Sequence, residues 1–371
     1  MDEWNGQGFL TALEEHPELE LHALLVLRSG APVLEQYAEP YRRSDRPLVY
    51  SASKTFAATA VGLAVGEGRF GLDDCIVDLL ADRSAEPAGT AVPTGSTSRE
   101  VDDRVAEITV HHLLSMSTGH TEDTIETMTA RPPEQWVEAF LAIRPQQPVG
   151  SCHVYNNGAS FLLGELVRRH TGKDLLDYLR PRVLEPLGIE ATWDTDAAGR
   201  CLGWTGLHVD ARGLAAMGEL LRCDGVWRGR RLLPEGWVAR ATSKQIPTVD
   251  DSPEWNLGYG YQVWMGREGY RLDGAYGQFA FVLPERELVV AVQSAQSCTQ
   301  VLIDLLWGHL PSARSVEPAQ APAPTLRPAH RRPGSTIRMA TVPILSDSGR
   351  GTTWTHTGPV PLDATMVDEG E

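Results

Sequence analysis

The chain predicts an α+β fold, an antiparallel sheet flanked by helices with a helical subdomain inserted between its strands. Three observations predict it. Strand-like segments gather near residues 21–37 and again from Leu257 onward, while helical periods fill the middle. After position 310 the composition changes: nine of the 25 prolines fall in 311–371, with few aromatics and no sustained period. Residues 1–310 are therefore expected to form one folded domain, and 311–371 a Pro-rich, disordered C-terminal extension.

Taken in order, Leu21–Arg28 (LHALLVLR) and 32–37 (PVLEQY) read as strands joined at Ser29-Gly30-Ala31. The segment 56–66 is apolar nearly all round, the mark of a buried helix. Residues 82–107, rich in Ser, Thr, Pro, Gly and charge, read as a long surface excursion. A capped helix begins near Ile108 and ends near Ser117-Thr118-Gly119; 133–141 and 158–171 are helical by period, the latter stopped by Gly172. Asp210 opens a helix over 211–221. Strands follow at GYGYQVWM, QFAFVL and ELVVAVQS, with Pro284-Glu285-Arg286 as a turn, and an apolar helix over 301–310 closes the domain.

Bulk properties exclude several function classes. A formal net charge of −16 argues against nucleic acid or anionic membrane as partner. Five scattered cysteines without CxxC spacing suggest reduced thiols, not a disulfide frame or zinc site. The opening Met1-Asp2-Glu3-Trp4 is acidic and polar, unlike a secretory signal, and no apolar stretch reaches membrane-spanning length. The expected location is the cytoplasm.

Chemistry enters at Tyr50-Ser51-Ala52-Ser53-Lys54. Lys54 is one of three lysines, with Lys173 and Lys244, in a chain that otherwise takes its positive charge from arginine. Arginine keeps its proton near neutral pH, whereas a desolvated lysine can act as a base. Positions i and i+3 share a helix face, so Ser51 and Lys54 can meet at the mouth of the apolar helix. The unpaired N–H groups of that helix start favour an oxyanion. Taken alone, the tetrapeptide reads first as a helix cap at Ser51 with Lys54 a solvated first-turn residue, and its company decides.

Two further clusters accompany it. His153-Val154-Tyr155-Asn156-Asn157-Gly158 offers a phenol to shuttle protons and an amide to orient neighbours, although Asn157 also fits a helix cap. Leu272-Asp273-Gly274-Ala275-Tyr276-Gly277 precedes a strand, its glycines allowing backbone to approach a ligand. The histidines are dispersed without HExxH spacing, so no metal and no other cofactor is expected. No G-x-S-x-G surrounds a serine to support a Ser-His-Asp triad. Trp204, Trp264, Tyr276 and Phe279 are candidate pocket walls.

SxxK, then YxN, then a glycine-bearing strand, in this order and spacing, resembles the serine β-lactamase / penicillin-binding-protein superfamily, in its class C-like branch. The segments ITVHHLLSMSTGH, YNNGASFLLGELVRRHTGKDLLDYLRPRVLEPLGI and AYGQFAFVLPERELVVAVQS are similar to that family's as well, and the likeness runs over about 21–310. The resemblance implies a β-lactamase/transpeptidase-like fold and a serine hydrolase acting on a small-molecule ester or amide. It implies Ser51 as nucleophile, Lys54 as its base, Tyr155 as second general acid/base and Asn157 as the group orienting Lys54 and substrate. The backbone N–H groups of Ser51 and Ala275, beside Gly274, would form the oxyanion hole. Where many relatives have Lys-Thr-Gly or His-x-Gly, this chain has Leu272-Asp273-Gly274. Loss of that cation points from β-lactams toward neutral esters or amides. An acyltransferase or peptide cyclase on the same scaffold, and a non-catalytic binding protein, are the alternative expectations. Oligomeric state is not legible.

Overall fold

The computed structural model describes residues 6–81, 102–310, 340–344 and 352–356. Most of the expected excursion, and of the expected disordered extension, lies outside the described residues. From the latter only the strands Ala340–Ile344 and Thr352–His356 are described, paired with each other.

The main sheet has six antiparallel strands: β1 (Leu21–Arg28), β2 (Ala31–Tyr37), β3 (Trp264–Met265), β4 (Tyr270–Gly274), β5 (Gln278–Leu283) and β6 (Leu288–Ser294), in the order β2-β1-β6-β5-β4-β3. The two ends of the domain meet where β1 pairs with β6, Leu24 opposite Val292. Period-two alternation sends Leu25, Leu27, Leu272, Ala280 and Ala291 to one face and Leu24, Val26, Phe279, Phe281 and Val292 to the other. Both faces are covered, so β1 is buried almost throughout and reads as a continuous apolar run.

Helices α2 (Ser53–Gly66), α3 (Asn157–Thr171) and α4 (Ala211–Arg222) lie in the first core with the sheet's inner face. Helices α1 (Gly6–Glu14) and α5 (Thr299–His309) pack on the other. Helix α2 is buried from Ser53 through Ala64, which explains an apolar surface on every side. Helix α3 starts where the Asn156 side chain accepts from Ala159 N and stops at Gly172, whose φ of 71° is left-handed. The cap is thus Asn156, not Asn157.

Asp210 opens α4 by accepting from Gly213 N at 2.7 Å. Asp210→Ala should cost about 1 kcal/mol of stability, the usual worth of an N-cap, read as a lower urea midpoint with unchanged slope.

Two expectations are corrected. GYGYQVWM forms a strand only at Trp264–Met265, because Gly258 (φ 117°) and Gln262 (φ 57°) break the extended backbone. The helix begun near Ile108 covers only Val110–Leu114, ending before Met116, whose φ is 55°. Helix α1 is an addition: Phe9 and Leu10 are buried against the outer face of the sheet.

Candidate active site

The site forms where α2 begins, where α3 begins and where β4 ends. A single helical turn, Tyr50–Ala52, carries Ser51 into α2. Tyr50, just before it, has a φ of 46°, a conformation unusual for a bulky residue. Ser53 fixes the turn: its hydroxyl donates to Tyr50 O (2.5 Å) and accepts from Leu207 N (3.1 Å).

Lys54 lies one turn on from Ser51, and only 1% of it is exposed. Its Nζ donates to Ser51 Oγ (2.9 Å) and to Trp204 O (2.7 Å). Burial lowers its pKa to about 7, against the opposing pull of the Asp123 and Asp273 carboxylates. An amine in this state is a base available near neutral pH.

Tyr155 closes the group. Its ring centroid is 4.8 Å from Lys54 Nζ, and its hydroxyl feels that of Ser51. Its other neighbour is Trp264, nearly parallel at 13° with centroids 5.9 Å apart. Burial pushes the phenol pKa well up, only partly offset by the neighbouring Ser51 hydroxyl. Tyr155 therefore keeps its proton while Lys54 readily sheds one.

Asn157 lies two residues beyond Tyr155 but does not bond Lys54, whose partners are Ser51 and Trp204. Its side chain donates to Asp123 Oδ2 (2.5 Å), and its backbone N–H to Asp123 Oδ1 (2.8 Å). Asp123 also accepts from Ile125 N (3.1 Å). The expected contact to Lys54 is replaced by a carboxylate whose charge Lys54 feels. Asp123, in the loop after Gly119, has no sequence signal, since its partner lies 34 residues on.

At the third segment, Leu272 is fully buried in the inner core. Asp273 Oδ2 accepts from Arg271 Nε at 2.9 Å. Gly274 lies against the nucleophile turn: a Cβ there would collide with Val49 O and stand 3.2 Å from Ala52 N. Ala275 follows, exposed. Tyr276 meets Tyr50 edge-on, centroids 5.2 Å apart. Of the expected pocket walls, Trp264 and Tyr276 stand at the site and Trp204 contributes its carbonyl. Phe279 is buried in the opposite core, because alternation along β5 turns it away.

Elsewhere the histidines have local roles. His111 bonds Tyr261 (2.7 Å), His112 completes the cap at Thr109, and His208 pairs with Asp194. Among the described residues no group of three His, Cys, Asp or Glu is placed to hold a metal, and no helix is long and apolar enough to cross a membrane. All five cysteines are free.

Comparison with known proteins adds three findings. A family model described as Beta-lactamase matches residues 13–300. A 6-aminohexanoate-dimer hydrolase of Paenarthrobacter ureafaciens is 26% identical over 222 residues, 58% of this chain and 55% of that protein, so the chain matches little more than half the relative's length. Solved structures share the fold. A penicillin-binding protein homologue from Caulobacter crescentus superposes with a TM-score of 0.62 (18% identity, 82% of this chain, 98% of that chain). EstCE1, a hydrolase with promiscuous acyltransferase activity, gives 0.63 (16% identity, 82% and 97%).

Proposed function

The chain belongs to the beta-lactamase family of hydrolases, and from that premise we propose that it cleaves a small-molecule ester or amide through an acyl-enzyme on Ser51. The reading rests on one observation: a buried amine with a pKa near 7, hydrogen-bonded at 2.9 Å to a serine hydroxyl at a helix start.

In this reading Lys54 Nζ takes the Ser51 proton as Oγ attacks the carbonyl carbon. The oxyanion is met by the backbone N–H groups of Ser51 and Ala275. As the tetrahedral intermediate collapses, Tyr155 gives its proton to the departing oxygen or nitrogen and recovers one from the Lys54 ammonium. The raised phenol pKa favours this assignment over a resting tyrosinate base. Water then attacks the acyl carbon, losing its proton to the same pair, and Ser51 leaves as the free hydroxyl. Asn157 acts through Asp123, holding that carboxylate near the amine. The relative named for hydrolysing a 6-aminohexanoate dimer, an amide, supports including amides.

Intact-mass spectrometry across a panel of esters, linear amides and β-lactams tests the proposal. The expected result is an acyl adduct on the peptide carrying Ser51 and release of free acid. A stable fold that forms no adduct and releases no product with any panel member favours the binding-protein alternative. Products formed on an added amine instead of water would make the chain an acyltransferase.

A further inference from the structure

The charges of the cleft are unevenly set. Arg271 is fully buried, with Nε bonded to Asp273 Oδ2 at 2.9 Å and Nη1 3.7 Å from Glu254 Oε2. Nη1 also donates to the carbonyls of Glu254 and Met265, both at 3.2 Å. The guanidinium is covered by Trp255, 4.9 Å from its ring centroid, with Trp264 at 6.0 Å. Glu254, equally buried, is also paired with Arg267. The cation of this cluster is thus walled off.

Asp273 is the less enclosed acid of this cluster, its carboxyl pKa raised by burial against the pull of Arg271. Its side chain keeps 11% of its surface open, and its charge acts on Lys54 and on the Tyr155 and Tyr259 phenols. It precedes Gly274, which touches the nucleophile turn. Lys54 is the cation of this cleft, and near its pKa of about 7 it is only partly charged. A ligand ammonium entering beside Asp273 therefore meets an attractive field. A ligand carboxylate meets repulsion and loses its water without a replacement partner.

Resting on the hydrolase reading above and naming its substrate class, we propose that Asp273 is a specificity-determining residue that selects substrates bearing an ammonium group near the scissile carbonyl and rejects those bearing a carboxylate.

Two measurements test this. The first compares kcat/KM for p-nitrophenyl esters of β-alanine, butyric acid and succinic acid, which are cationic, neutral and anionic at matched length. The wild type should rank them in that order. Asp273→Asn should reduce the β-alanyl to butyryl ratio by about tenfold, mainly through KM, as expected for loss of one charge-assisted contact. The second needs no turnover: saturation-transfer NMR with butylammonium and with butyrate should show tighter binding of the ammonium, lost in Asp273→Asn. If esters are cleaved without charge preference, or the preference survives Asp273→Asn, the proposal is overturned while the hydrolase reading stands. If nothing is cleaved but butylammonium is still bound through Asp273, the hydrolase reading fails and Asp273 keeps its role. Should Asp273→Asn not fold because Arg271 loses a counter-charge, Asp273→Asn combined with Arg271→Gln removes the pair together and carries the same comparison.

Discussion

Replacing Lys54 by methionine is expected to lower kcat/KM for an ester by about 10³-fold, within the usual range for removal of a general base. Methionine preserves the length and apolar stem of the lysine, so the tight burial within α2 is retained and only the amine is lost. The pH profile supplies a second readout. Lys54 works as a base only when unprotonated, and its pKa is lowered to about 7. Wild-type kcat/KM should therefore rise with pH through an apparent pKa near 7 and level off above it. In Lys54→Met that limb should vanish from the residual activity. A limb that persists would assign the titration to another group.

The same replacement separates catalysis from stability. An amine whose folded pKa lies below its unfolded value binds fewer protons folded than unfolded. Between about pH 7 and the ordinary lysine range, the stability of the wild type should therefore rise with pH. At pH 7 the buried amine costs the fold on the order of 4 kcal/mol, because it is fully ionised in the unfolded chain and only partly so once buried. Against this, Lys54→Met orphans the Trp204 carbonyl, a loss of about 1–3 kcal/mol. The desolvation term wins, so the thermal midpoint of Lys54→Met at pH 7 should not fall although activity does. A midpoint several degrees lower would mean that Lys54 holds the fold together.

What could be read from the sequence follows from how local each feature is. The spans of β1, β5 and α3 were legible because alternation, helical period and the Gly172 stop are encoded within the segments themselves. The approach of Ser51 and Lys54 was legible for the same reason, since one helical turn separates them. Asp123 was not, because its meaning depends on Asn157, which only the tertiary fold brings to it. The Trp204 carbonyl was invisible because any residue supplies one. The cap fell to Asn156 rather than Asn157 because either amide fits a helix start, and Asp123 engages the second. The break in GYGYQVWM depends on a positive φ at Gln262, whose side chain accepts from Ser160 and donates to Leu113 O and Leu114 O, all distant in sequence.

Gly274→Val is expected to lower kcat/KM by about 100-fold or more while leaving the sheet folded. In the proposed mechanism Gly274 and Ala275 contribute backbone to the site, so sensitivity at these two positions lies in placement rather than side-chain chemistry. Any Cβ at 274 would collide with Val49 O and crowd Ala52 N at 3.2 Å, and both atoms belong to the backbone that leads into α2. Neither can rotate aside as a flexible side chain would. Either the end of β4 retreats or the nucleophile turn shifts, and each movement separates Ala275 N from Ser51. Loss of one oxyanion donor costs about 10²–10³ in kcat, and a misplacement of about 1 Å costs a comparable factor. The rest of β4 is held by pairing with β5 from Tyr270 to Gly274 and by Leu272 in the inner core, so far-ultraviolet circular dichroism should be preserved. Lys54 is buried within α2 and anchored on the Trp204 carbonyl, so the pH limb near 7 should survive in this variant although it disappears in Lys54→Met. Full activity in a folded Gly274→Val protein would remove the third segment from the oxyanion hole and shift that role to the α2 amino terminus alone.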